Sequence, residues 1–120
     1  ENGKELWPMI KTHKSTAPAK MQLDAGATGF LCGTLDECEM VYQLGAKHIM
    51  YAYPTANPVN IRRLLPFAKD AELIIRLDTV RAAEILNSEA EKAGVIVSYT
   101  VMWIWISTAS GCPQMQLWIS

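Results

Sequence analysis

Short apolar runs alternate with longer amphipathic segments as far as residue 102, and this alternation restricts the fold more than any single residue does. Residues 7–12, 28–32, 48–52, 73–77 and 95–102 read as strands, and the spacing predicts helices over 16–25, 34–44, 61–68 and 79–92. The helix signals have physical causes. Pro18 suits a first turn, where no amide donor is needed. Thr34 and Glu37 stand at the spacing of a capping box, and Asp78 or Thr79 can cap the last helix. Gly26, Gly45 and Gly94 supply stops, while Pro58 lies near a helix start and Pro66 shortens or kinks that helix. Strands that are apolar on both faces and joined by helices imply a parallel sheet, either buried between layers or closed into a barrel. The fold class expected is α/β: a partial (β/α) TIM-type barrel with about five of its eight units.

Composition narrows the function classes. The chain has 120 residues, half of them apolar, so one modest core suffices. With a net charge of −1 and basic residues spread along the chain, neither a nucleic-acid nor an anionic-membrane surface is indicated. The apolar run 95–106 is shorter than the roughly 20 residues a membrane span needs. Cys32, Cys38 and Cys112 are odd in number and share no Cys-x-x-Cys spacing, which argues against a disulfide framework and a zinc site and fits a reducing cytoplasm. His48 and Cys112 have no ligand spacing either, so no metal ligands are assigned. Residues 1–5 carry no secretory signal and no initiator methionine, so further residues are expected upstream.

In a (β/α) barrel, chemistry gathers where strands end. Lys11, Thr12, His13 and Lys14 lie at such an end, as do residues 32–34, 51–54 and 76–79. Burial at the inner end of a strand would disfavour a lysine's charged form and free a nucleophilic amine; left in solvent, Lys11 and Lys14 are ordinary rim charges. On an extended strand His13 faces the same side as Lys11, where it could touch a ligand; a packed or capping histidine is the alternative. Tyr51 and Tyr53 share a face and could line the same pocket. Cys32 and Cys38 read as small core residues, Arg62, Arg63 and Arg81 as solvated helical charges, and Met9, Met21, Met40 and Met50 as packing.

The run "PMIKTHKSTAPAKMQLDAGATGFLCGTLDECEMVYQLGAKHIMYAYP", then "NP" before a helix and "RLDTVRAAEIL", resembles the pyridoxal-phosphate enzymes of the D-threonine aldolase and D-serine dehydratase family. The likeness covers roughly residues 8–99. It implies an alanine-racemase-like barrel and a Schiff base between pyridoxal 5'-phosphate and the first lysine of "KTHK", which is Lys11, with Lys14 as runner-up. His13 and Tyr53 would then contact the cofactor. The implied activity is lyase chemistry on a D-amino acid, either retro-aldol cleavage of a D-threonine-type substrate or dehydration of D-serine. An amino-acid racemase, a non-catalytic pyridoxal-phosphate carrier and an inactive product are the alternatives. A homodimer and a divalent metal belong to the same implication, the metal being held by a His/Cys pair associated with a β-rich second domain that is expected to be absent here.

At Met102 the resemblance breaks. The family pattern calls there for aspartate, arginine and glycine, whereas this chain reads "WIWISTASGCPQMQLWIS". Tryptophan is TGG and isoleucine begins AT, so every Trp-Ile pair contains GAT, an aspartate codon, one base out of register. Read in that register, "MWIWISTASG" can become Val-Asp-Met-Asp-Ile-Asn-Arg-Ile-Gly. Residues 1–102 are therefore expected to be the N-terminal part of the barrel and 103–120 a frame-shifted tail.

Overall fold

A computed structural model describes residues 3–101; the proposed frame-shifted tail lies outside them. Four strands, β1 (Gly29–Cys32), β2 (His48–Tyr51), β3 (Glu72–Leu77) and β4 (Ser98–Val101), form one sheet in the order β1-β2-β3-β4. Every pairing is parallel, with Gly29 opposite His48, His48 opposite Glu72, and Ile74 opposite Ser98. Parallel neighbours need a crossover, and helices α2 (Leu35–Gln43), α3 (Pro58–Leu64) and α4 (Val80–Ala93) supply one each, after a leading helix α1 (Thr16–Asp24). Sequential strand order with one helix per step is the winding of a (β/α) barrel; a doubly wound sheet reverses order partway.

The helix ends follow the sequence signals. Thr34 accepts a hydrogen bond from the Glu37 amide and Thr79 from the Ala82 amide, so hydroxyls satisfy donors that the first turn leaves free. Gly94 ends α4 in the left-handed conformation, at φ 66°. The third helix departs from expectation: it begins at Pro58 behind an Asn57 cap and ends at Leu64. Pro66 has no amide donor to continue an α-helix, and residues Leu65–Lys69 tighten into a 3-10 segment.

The first expected strand is also corrected. Residues 7–12 contribute only a parallel bridge between Met9 and Leu31 before Ile10–Thr12 close a 3-10 turn. Pro8 cannot donate to a ladder, and the amides of His13 and Lys14 bond back to the Ile10 carbonyl. The fifth expected strand is likewise shorter, as β4 starts at Ser98.

The core lies between the sheet and its helices. Phe30, Cys32, Ile49, Tyr51, Leu73, Ile75 and Leu77 alternate along the strands toward this side and pack with Ile61, Leu64 and Leu86 from the helices. Cys32 and Cys38 are both buried there as small apolar residues. Leu31, Met50 and Ile74 point to the opposite face and are only half-buried, so the described residues cover one face of the sheet. Met9 and Met21 are exposed rather than packed. Among the described residues no helix is long and apolar enough to cross a membrane.

Two close contacts generate predictions. A Cβ on Gly29 would stand 2.6 Å from the His48 Cβ and 2.7 Å from its carbonyl oxygen, both on the neighbouring strand. Gly29→Ala should therefore destabilise the chain by about 1–3 kcal/mol, read from its urea midpoint. Glu89, buried on α4, is held by Lys92 at 2.8 Å and by Arg62 of α3 at 3.1 Å, and these partners pull its carboxyl below the usual range. Because the folded value is the lower one, this stabilisation is present above the ordinary carboxylate value and is lost as pH falls through the depressed one. Thermal melts of the parent and of Glu89→Gln should differ near neutral pH and converge at acid pH.

Candidate functional site

Parallel register places the residues after β1, β2 and β3 at one end of the sheet, and the 3-10 turn carrying Lys11 arrives beside them. Lys11 Nζ donates to Tyr53 Oη at 3.2 Å and lies 5.9 Å from the ring centroid. Lys11 and Tyr53 are both exposed, and among the described residues no carboxylate pairs with Lys11. The desolvation expected for a lysine at the inner end of a buried strand is thus not supplied by these residues. The amine is accessible instead.

Gly33 is the point around which the group closes. A Cβ there would lie 3.3 Å from Tyr53 Cε2, 3.5 Å from Glu37 Oε2 and 4.0 Å from Lys11 Cδ. Glu37 is buried, and its Oε2 accepts the Gly33 amide at 2.7 Å. In a capping box this carboxylate would reach back to the Thr34 amide; here it reaches one residue further and pins the turn that leaves β1. Its Oε1 is buried with no partner among the described residues. This leaves one carboxylate oxygen in the turn after β1 unsatisfied among the described residues. Sequence reasoning assigned Glu37 to the helix cap alone, and only its three-residue spacing from Thr34 hinted at more.

His13 is corrected in orientation. The 3-10 turn removes the two-residue alternation of a strand, so His13 is half-buried while Lys11 is exposed. Its Nδ1 accepts the amide of Ser15, the N-cap of α1, at 3.4 Å, which makes it a capping histidine; Nε2 is buried and unpartnered among the described residues. Lys14 occupies the left-handed turn between the 3-10 turn and α1, at φ 44°, a conformation costing a non-glycine residue about 1 kcal/mol. It makes no side-chain hydrogen bond among the described residues. Tyr51 does not share the rim with Tyr53: it is buried in the core, and burial raises its phenol above the usual range. The Cys32 thiol, hydrogen-bonded to Cys38 and desolvated, is likewise pushed up, which keeps it a neutral core group.

Arg62, Arg63 and Arg81 are exposed as expected, Arg63 bonding Glu39 at 2.6 Å and Asp36 at 2.5 Å across α2 and α3. Two concavities, of about 530 and 480 Å³, flank α4 and do not include Lys11. The Lys11 site is an open rim rather than an enclosed pocket. Among the described residues no group of three or more His, Cys, Asp or Glu side chains could hold a metal ion.

Known proteins with this arrangement are similar in both sequence and fold. No family model matches the chain. It is 33% identical over 106 residues to D-threo-3-hydroxyaspartate dehydratase from Delftia sp. (strain HT23), covering 88% of this chain and 27% of that protein. D-threonine aldolase from Filomicrobium marinum superposes with a TM-score of 0.75 at 25% identity, over 81% of this chain and 26% of its own. A histidine-to-alanine variant of D-threo-3-hydroxyaspartate dehydratase gives 0.72 at 29% identity, over 82% and 25%. The four parallel strands therefore match part of the N-terminal barrel region of these alanine-racemase-like enzymes. Within that class the chain is similar to D-threonine aldolase and D-threo-3-hydroxyaspartate dehydratase, and it spans about a quarter of their length.

Removing Glu37 tests the site's scaffold. Glu37→Ala orphans the Gly33 amide and should cost about 1–3 kcal/mol of stability, whereas Glu37→Gln keeps an acceptor and should recover most of it, as measured by chemical denaturation.

Proposed function

We propose that this chain is the cofactor-attaching part of a pyridoxal-phosphate-dependent lyase acting on D-amino acids that carry a 3-hydroxyl group. The observation supporting it is the accessible Lys11 amine, set against Tyr53 on the carboxyl-end rim of a barrel shared with D-threonine aldolase and D-threo-3-hydroxyaspartate dehydratase. Both of those names specify D-configured amino acids, and threonine, like 3-hydroxyaspartate, bears its hydroxyl on the β-carbon. The reaction is retro-aldol cleavage or dehydration.

The residues present fit the cofactor. Among the described residues Lys11 offers a primary amine with no competing carboxylate, Gly33 leaves space where any larger residue would crowd Tyr53, and Glu37 Oε1 and His13 Nε2 are buried polar atoms without partners. When bound, pyridoxal phosphate supplies the electron sink for breaking a bond to the substrate's Cα. Lys11 is the residue that would hold it, through its amine. Tyr53 holds the lysine by accepting its hydrogen bond. The Lys11 amine could accept or return a proton on one face of the substrate's Cα. Tyr53, and His13 through its unpartnered Nε2, would be the further contacts of the bound cofactor. A homodimer and a divalent metal in the parent enzyme belong to the same reading.

Titrating the chain with pyridoxal phosphate should give a visible absorbance band that Lys11→Ala abolishes and Lys14→Ala retains. Tyr53→Phe should keep the band with about three- to ten-fold weaker binding, the loss of one hydrogen bond. A band that survives Lys11→Ala and disappears in Lys14→Ala would transfer the attachment to Lys14.

A further inference from the structure

The segment that delivers Lys11 is tied to the sheet by very little backbone. Pro8 has no amide proton, and the described structure gives this segment one ladder bond to β1, from the Leu31 amide to the Pro8 carbonyl at 3.0 Å, beside the Met9–Leu31 bridge. Side chains must therefore set its course. Ile10, fully buried, anchors it on one side of the bridge.

On the other side stands a second anchor, at the opposite end of the sheet from Tyr53. The Trp7 indole stacks on the His48 imidazole with ring centroids 4.9 Å apart and an interplanar angle of 21°. Its Nε1–H lies 3.1 Å from both Thr28 Oγ1 and Glu5 Oε2, and the Thr28 hydroxyl donates to the same Glu5 oxygen at 2.9 Å. These two donors hold the Glu5 carboxyl below its usual range. His48 is fixed in turn: Nδ1 sits 2.8 Å from Glu72 Oε2, and the other Glu72 oxygen accepts the Ser98 hydroxyl at 3.3 Å. The contacts run from the arm across the leading residues of β2, β3 and β4, and His48 fits only because Gly29 has no Cβ. A single anchor at Ile10 would fix a point and leave the arm free to pivot; two anchors fix its direction as well.

We propose that Trp7 and His48 are positioning residues for Lys11: their stacked rings clasp the arm to the sheet and so determine where the amine, four positions beyond Trp7, is presented. The inference rests on Lys11 being the cofactor-carrying residue. It gives the leading end of the sheet, remote from the rim, a part in the function of that rim.

The experiment combines amide hydrogen exchange over residues 8–14 of the cofactor-free chain with mapping of pyridoxal-phosphate modification after borohydride reduction. In Trp7→Ala, exchange over this segment should rise about ten-fold and the modification of Lys11 should fall about ten-fold, since small misplacements of a reacting group are expensive in rate. Trp7→Phe, which keeps a ring on His48, should restore both, and His48→Asn, which removes the stack from the other side, should reproduce the loss even if Trp7→Ala fails to fold. Unchanged exchange, or raised exchange with Lys11 modification equal to the parent's, would overturn the clasp while leaving the site intact. A parent chain that is not modified at Lys11 would overturn the reading of the site and the clasp with it.

Discussion

The parallel ladder is the constraint on which the remaining structure depends. Because every strand from β1 to β4 runs the same way, each must be followed by a helix that returns the chain, and every strand-to-helix turn falls at one end of the sheet. Cys32–Gly33, Tyr51–Tyr53 and Leu77–Thr79 are distant in sequence but become neighbours in space for this reason alone. The ladder also sets the limits of the core. Helices cover one face, where Phe30, Ile49 and Ile75 are fully buried, while Leu31, Met50 and Ile74 form an apolar second face that the described residues leave half-open. In a closed barrel that second face lines the interior.

Given that ladder, the site needs few further devices. Gly33 permits Tyr53, Glu37 and Lys11 to approach one another, and the Glu37 carboxylate converts the free Gly33 amide into a fixed turn. Lys11 arrives from outside the ladder, on an arm whose proline forbids further pairing. A rigid rim thus meets a lightly attached lysine, and the clasp at Trp7 and His48 accounts for how such a lysine keeps a defined position.

Much of the fold was legible in the sequence because its signals are local. The apolar runs at 28–32, 48–52 and 73–77 match strands to within a residue or two, and Thr34, Thr79 and Gly94 act as caps as their chemistry requires. The misreadings share a cause: a tertiary or turn preference overrode a local pattern. Residues 7–12 are apolar enough for a strand, yet Pro8 and the back-bonded Ile10 carbonyl turn them away from one. Asn57–Pro58 was a legible helix start that the apolar spacing of later residues obscured. The site was less legible than the fold. Lys11 could be singled out, but its contact with Tyr53 spans 42 positions, and the reach of Glu37 to Gly33 rather than Thr34 depends on the course of β1. His13 was placed beside Lys11 on the assumption of an extended backbone, and the 3-10 turn separates them.

In the proposed site, folding, and not lysine chemistry by itself, selects Lys11 for the cofactor. Site-resolved labelling of all the lysines with pyridoxal phosphate and borohydride, in buffer and again in urea, separates the two. Lys11 should dominate the labelling in buffer, and its preference over Lys4, Lys14, Lys20, Lys47, Lys69 and Lys92 should disappear on unfolding. Labelling spread evenly over these lysines in buffer, or a Lys11 preference that persists in urea, would contradict that selection.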